Sequence, residues 1–261
     1  MSFAKATGQP ATTTISTPAD GLRSGKPTID TAAGAIPAYY AAPQAEKPPI
    51  VLVVQELFGL HEHIQDVCRR LARGGYFAIA PDLYFRQGDP ANYDDIPTLV
   101  KEVANRVPDD QVLSDLDAAA RWATAQGGDP ARLAVTGFCW GGRITWLYAA
   151  HNPALKAAVA WYGRLQGPAD PLRPRQPIDV VGALQAPVLG LYGGEDTGIP
   201  VSSVEAMREA LATGNAPAQA SAIHLYPEAP HAFYADYRPS YRPGPAEDGW
   251  RRMLSWFEAR L

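Results

Sequence analysis

One short segment has the residue types and spacing of a nucleophile. Cys139 sits in Gly137-Phe138-Cys139-Trp140-Gly141, a G-x-C-x-G pattern between the apolar run Leu133 to Thr136 and a helix-forming stretch. This is the nucleophile-elbow pattern with cysteine in place of serine, and a strand before it and a helix after it are the context it requires. The chain there must reverse within about two residues, a strained turn that only small neighbours such as Gly137 and Gly141 tolerate. At the start of a helix, the dipole and the free backbone N–H groups favour thiolate. Taken alone, the motif also fits a buried structural cysteine in a glycine-rich turn.

A thiolate nucleophile needs a base, and the base needs an orienting acid. Downstream, Leu189 to Tyr192 runs into Gly193-Gly194-Glu195-Asp196. That turn puts an acid beyond the C-terminal edge of a strand, where open α/β sheets carry their sites. Asp196 is preferred over Glu195 for its offset after the two glycines. Further on, Tyr226-Pro227-Glu228-Ala229-Pro230-His231 is a strand followed by a loop histidine, which completes the order nucleophile, acid, histidine. The other histidines fit less well: His224 lies inside a predicted strand and His151 ends a predicted helix. His61 and His63 form H-E-H, which is not the H-E-x-x-H zinc spacing, so no metal is expected, although both could line a pocket.

The elements that must position these residues alternate regularly. KPTIDT and AIPAYYAAP flank Ala-Ala-Gly and predict an antiparallel hairpin at a sheet edge. Pro49 to Gln55 is a continuous apolar run that reads as a strand buried on both faces. A helix follows from about His63 to Arg73, with Ile64, Val67, Cys68 and Leu71 on one face and Gly74-Gly75 ending it. Further strands are predicted at Tyr76 to Ala80, Arg132 to Thr136, Lys156 to Trp161, Pro187 to Tyr192 and Ala220 to Tyr226. Helices are predicted at Asp109 to Gln126, Trp140 to His151, Pro200 to Thr213 and Glu247 to Leu261. The expected fold class is α/β, a mainly parallel sheet covered by helices on both faces with an N-terminal antiparallel hairpin. Residues 163–177 and 236–245, rich in proline, read as surface loops.

Bulk properties exclude several classes. The chain has 261 residues, 46% hydrophobic and 19% charged, with a net charge of -4. That is enough for one large core, so residues 26–261 are expected to form one α/β domain behind a flexible arm of residues 1–25. No broad basic face points to nucleic acid or an anionic membrane. No apolar run approaches the roughly 20 residues of a membrane span, and the start lacks the pattern of a signal peptide, so a cytoplasmic protein is expected. Two cysteines 71 positions apart offer neither a CxxC pair nor a zinc spacing.

The motifs together resemble the dienelactone hydrolase (carboxymethylenebutenolidase) family, from about Thr28 to the C-terminus. The matching blocks are Gln55-Glu56-Leu57-Phe58-Gly59-Leu60, Ala80-Pro81-Asp82-Leu83-Tyr84-Phe85-Arg86-Gln87, Gly137 to Gly142, Gly193 to Asp196 and His231-Ala232-Phe233. The resemblance implies an α/β-hydrolase fold and a triad of Cys139, His231 and Asp196. It implies that Glu56 pairs with the resting thiol and accepts its proton. It places the oxyanion on the backbone N–H groups of Leu57 and Trp140. It gives Arg86 a substrate carboxylate to hold, and its blocks bring Tyr84 and Phe233 as further substrate contacts. No cofactor is implied, and the partner is a small ester or lactone bearing a carboxylate. Where prominent family members carry a second carboxylate-binding arginine, this chain has Ala235, with Arg238 and Arg242 nearby. The alternatives are a broader carboxylesterase or thioesterase using the same triad, or a non-catalytic binding protein of the same fold.

Overall fold

The computed structural model describes residues 12–261. The chain divides into two compact units, Met1–Pro130 with Asp236–Pro239, and Ala131–Ala235 with Ser240–Leu261.

In the first unit the strands are β1 (Arg23–Gly25), β2 (Thr28–Ile29), β3 (Ile36–Ala42), β4 (Pro49–Val54) and β5 (Phe77–Pro81). The expected hairpin forms, with Thr28 opposite Pro37 and Ile29 opposite Ile36. β3 also pairs antiparallel with β1 and β5, while β4 joins β5 in parallel. Ile50 to Val54 are fully buried, which is why that strand reads as an unbroken apolar run rather than an alternation. Helices α1 (Glu62–Arg73), α2 (Ile96–Glu102) and α3 (Asp109–Ala125) complete the unit, with α1 and α3 both packed on β4 and β5. Ile64, Val67, Cys68 and Leu71 form the buried face of α1, as its period requires.

Two expectations are corrected here. The first 11 residues of the proposed arm lie outside the described residues, but from residue 12 onward the segment is fixed to the unit. Thr17 N–H donates to Asp66 Oδ1 (2.5 Å), Arg69 Nε donates to the Thr17 carbonyl (2.6 Å), and Arg23–Gly25 pairs with Tyr40–Ala42. Polar partners on α1 hold this segment, so it has no apolar periodicity to betray it. Likewise, Asp236 and Tyr237 belong to no surface loop: both are buried, and Asp236 Oδ1 meets His63 Nδ1 at 3.2 Å while Oδ2 accepts from Arg70.

The second unit is a parallel sheet in the order β6 (Asp129–Phe138), β7 (Leu155–Trp161), β8 (Val188–Gly193) and β9 (Ala222–Tyr226). Its helices are α4 (Trp140–His151), α5 (Val201–Thr213), the short α6 (Ala216–Gln219) and α7 (Pro243–Glu258). α4 and α7 pack on β7, and α5 packs on β9. α7 begins at Pro243, ahead of the expected Glu247, because proline suits the first turn of a helix. The class is α/β, as the alternation requires. Cys68 and Cys139 are both free, and among the described residues no helix is long and apolar enough to cross a membrane.

Candidate active site

β6 ends at Phe138 and α4 starts at Trp140, so Cys139 alone makes the turn. Its φ of 54° and ψ of -113° lie outside the regions a cysteine ordinarily occupies. The turn is held because Cys139 N–H donates to the Trp161 carbonyl (3.0 Å) and the Cys139 carbonyl accepts from Gly142 N–H (3.0 Å). A Cβ at Gly137 would overlap the backbone of Gly141, so the strand and the helix approach only through glycine.

The β8 and β9 ends bring the other two groups together. Gly194 N–H donates to the Tyr226 carbonyl (2.8 Å) and Glu195 N–H to the Ala229 carbonyl (3.0 Å), which locks the acid turn against the histidine loop. Asp196 is buried, and its Oδ1 accepts from Gly198 N–H (2.8 Å) and Ile199 N–H (3.1 Å). Oδ2 is thereby turned to His231 Nδ1, 2.6 Å away, and His231 Nε2 lies 3.1 Å from Cys139 Sγ. Glu195, the rival acid, is exposed. The Tyr162 ring stands edge-on to His231 at 5.2 Å. Burial alone would lower the His231 pKa. The charge on Cys139 and the hydrogen bonds to Asp196 and Cys139 outweigh it and push the pKa up to about 10. The ring is held between a carboxylate and a sulfur, an arrangement that favours a proton on His231 and could serve nucleophilic attack.

In the first unit, Glu56 and Leu57 open a tight turn after β4, closed by Gly59 N–H donating to the Glu56 carbonyl (3.1 Å) with Gly59 at a φ of 76°. Glu56 Oε1 accepts from the Tyr237 hydroxyl and from His61 Nε2 (2.7 Å). Burial on its own would raise the Glu56 pKa, but the hydrogen bond and charge of His61, the charge of His63 and the Tyr237 bond bring it down to about 2. Burial lowers the His61 pKa against the pull of Glu56. Glu56 takes Tyr237 and His61, and Cys139 takes His231.

Comparison with known proteins decides the family. The family model for dienelactone hydrolases matches residues 36–261. The chain belongs to the dienelactone hydrolase family. A protein assigned as carboxymethylenebutenolidase in Escherichia coli (strain K12) is 58% identical over 258 residues, covering 98% of this chain and 94% of that protein. One with the same assignment in Methylorubrum extorquens is 59% identical over 249 residues, covering 95% of this chain and 84% of that protein. The crystal structure of an assigned dienelactone hydrolase from Klebsiella pneumoniae shares the fold at a TM-score of 0.89 and 58% identity, covering 92% of this chain and 99% of that one. The protein is a dienelactone hydrolase-like enzyme with the α/β-hydrolase fold.

For this member of the family, three expected substrate contacts are corrected. Arg86 already forks onto a carboxylate of the protein, Asp115, with Nη1 at 2.8 Å from Oδ2 and Nη2 at 3.0 Å from Oδ1. Its Nε donates to the Ala33 carbonyl (3.0 Å) and Nη2 also to Thr31 Oγ1 (2.6 Å), so the whole guanidinium is spent on the fold. Tyr84 and Phe233 are fully buried; Phe233 packs on Tyr162 at 5.2 Å and Tyr226 at 5.1 Å, as part of the aromatic layer behind the histidine loop. Arg242 caps α7, and its Nη1 donates to the Tyr241 carbonyl (3.0 Å). Arg238 instead lies over the Phe58 ring at 5.5 Å. Sequence reasoning missed Tyr237 and His61 as partners of Glu56. H-E-H was the only hint, and Tyr237, 181 positions away, gave none. Among the described residues no cluster of three or more His, Cys, Asp or Glu side chains is placed to hold a metal.

Proposed function

We propose that this enzyme hydrolyses ester or enol-lactone bonds by covalent acyl transfer through Cys139, His231 and Asp196. The observation that carries the reading is the unbroken series of contacts, Sγ to Nε2 at 3.1 Å and Nδ1 to Oδ2 at 2.6 Å, at a cysteine held in a strained elbow. The thiolate adds to the acyl carbon and the carbonyl electron pair moves onto oxygen. Trp140 N–H, at the first residue of α4, receives the oxyanion, with Leu57 N–H as the second donor the family resemblance implies. Each such donor is worth roughly 3 kcal/mol in acyl-transfer enzymes. Collapse breaks the C–O bond, the leaving enolate or alkoxide oxygen takes the proton of the His231 imidazolium, and a thioester and a neutral His231 remain. Water then gives a proton to His231 and attacks the thioester. Expulsion of the Cys139 thiolate releases the acid. Thiolate is itself a good leaving group, with a parent thiol pKa of about 8.5, so the intermediate goes forward only when the oxygen leaves readily. Enol lactones and aryl esters meet that condition, whereas alkyl esters and amides do not. The family resemblance adds Glu56 to this chemistry, as a standing carboxylate that accepts hydrogen bonds from substrate or water, while His231 takes the protons.

The test is turnover of an activated aryl ester and of cis-dienelactone by wild type and Cys139→Ala. The mutant should fall to background on both; full activity in the mutant removes Cys139 from the mechanism. The engagement of Arg86 by Asp115 favours a second reading, a broader carboxylesterase or thioesterase with no preference for an anionic arm. Against it stands Arg238, which has no acidic partner among the described residues. Arg238→Gln should cost activity toward esters with an acidic arm and spare their neutral counterparts; equal loss on both supports the broader esterase.

A further inference from the structure

We propose that Tyr237 and His61 are positioning residues that lock Glu56 as a carboxylate and leave its second oxygen, Oε2, as the working acceptor. The inference rests on the assignment of Glu56 to the site made above. Glu56 is 1% exposed, and a carboxyl so deeply buried takes a proton unless donors hold the anion. Two donors do so, and both bind the same oxygen, Oε1. Neither comes from the turn that carries Glu56 after β4: His61 is the residue before α1, and Tyr237 lies in residues 236–239. Oε2 has no partner among the described residues.

Both donors are held in their turn. The His61 ring stacks on His63 at 6.0 Å and meets the edge of Tyr237 at 5.2 Å, and Tyr237 also packs on His63 at 5.1 Å. His63 meets Asp236 at 3.2 Å, and Asp236 accepts from Arg70 on α1. The backbone of Tyr237 is thus anchored by its neighbour to the helix that follows His61. The titratable groups that act on Glu56 are His61, His63 and Tyr237; one step further out, Glu62 acts on His61, Asp236 meets His63 and Arg70, and Arg238 lies over the Phe58 ring. A carboxylate needed only to end a strand would be solvated. This one is buried and fixed at one oxygen by two side chains that the rest of the cluster holds in place.

Removing either donor lets burial prevail, so Glu56 should begin to protonate within the working pH range. The experiment measures kcat/KM for an activated aryl ester against pH in wild type, Glu56→Gln, Tyr237→Phe, His61→Asn and the Tyr237→Phe/Glu56→Gln pair. Glu56→Gln should lose about tenfold or more at every pH. Tyr237→Phe and His61→Asn should shift the acid limb upward by about one unit or more, approach Glu56→Gln at low pH and recover at high pH. The double variant should match Glu56→Gln alone. Positioning is overturned if the single variants keep the shape of the wild-type profile, or if the two losses multiply in the pair. If Glu56→Gln itself turns over like wild type, the assignment of Glu56 to the site is what fails. Melting curves identify a variant that unfolds, and His61→Asn carries the test if Tyr237→Phe does so.

Discussion

At the scale of single residues, Cys139 and His231 share one electrostatic problem. A cysteine thiolate and an imidazolium stabilise each other only at contact, and the 3.1 Å separation supplies that contact. The His231 pKa near 10 therefore depends on Cys139 as well as on Asp196. An NMR titration of the His231 ring should give a value near 10 in wild type and one falling back toward 6.5 in Cys139→Ala; an unchanged value would mean that Asp196 alone sets it. The grouping of Cys139, Asp196 and His231 was readable because each residue is announced locally, by a glycine pattern or by its place after a strand. The state of Glu56 was not readable. Its donors come from His61 and from Tyr237, and a carboxyl judged by burial alone is expected to be neutral. Arg86 shows the opposite failure. Its planar fork does match a carboxylate, but the carboxylate belongs to Asp115.

At the scale of elements, the βα alternation was readable because strands such as β4, β5 and β8 are buried on both faces and helices such as α1 and α5 end at glycines. α4 starts and ends where its sequence predicts, at Trp140 and His151, and β7 and β8 lie within a residue of expectation. β1 was invisible. Three residues, Arg-Ser-Gly, carry no alternation, and they pair because the chain before them is tied to α1. Asp66 is the knot: it is 1% exposed, accepts from Thr17 N–H and pairs with both Arg69 and Arg70. Asp66→Ala should leave two largely buried guanidinium groups short of a partner and lower stability by about 3–5 kcal/mol in chemical denaturation. A loss below about 1 kcal/mol would show that the pairs are no better than surface ones.

At the scale of the whole molecule, stability should have a limb at each end of the pH range. Glu56, depressed to about 2 from an ordinary 4.5, contributes stability that is complete above 4.5 and lost as the pH falls toward 2. Asp236 is depressed as well, by His63 and Arg70 against its burial, and acts in the same sense. His231, raised to about 10 from 6.5, contributes stability that is complete below 6.5 and lost as the pH rises through about 10. Melting temperature against pH should therefore peak near 6.5: below it His61, lowered from 6.5 by burial, and then Glu56 below 4.5 cost stability, and above it the raised His231 does, with the alkaline decline weakened in Cys139→Ala. A curve rising beyond 6.5 would contradict the raised histidine. The family match over residues 36–261 gives the molecule its fold and enzyme class, and the site chemistry remains the claim to test. The most direct test is intact-mass spectrometry of the enzyme quenched during turnover of an activated aryl ester. A gain equal to the acyl group, mapped to the peptide holding Cys139 and absent from Cys139→Ala, is the expected result. Steady turnover with no adduct in wild type and undiminished turnover in Cys139→Ala would contradict covalent catalysis at the elbow.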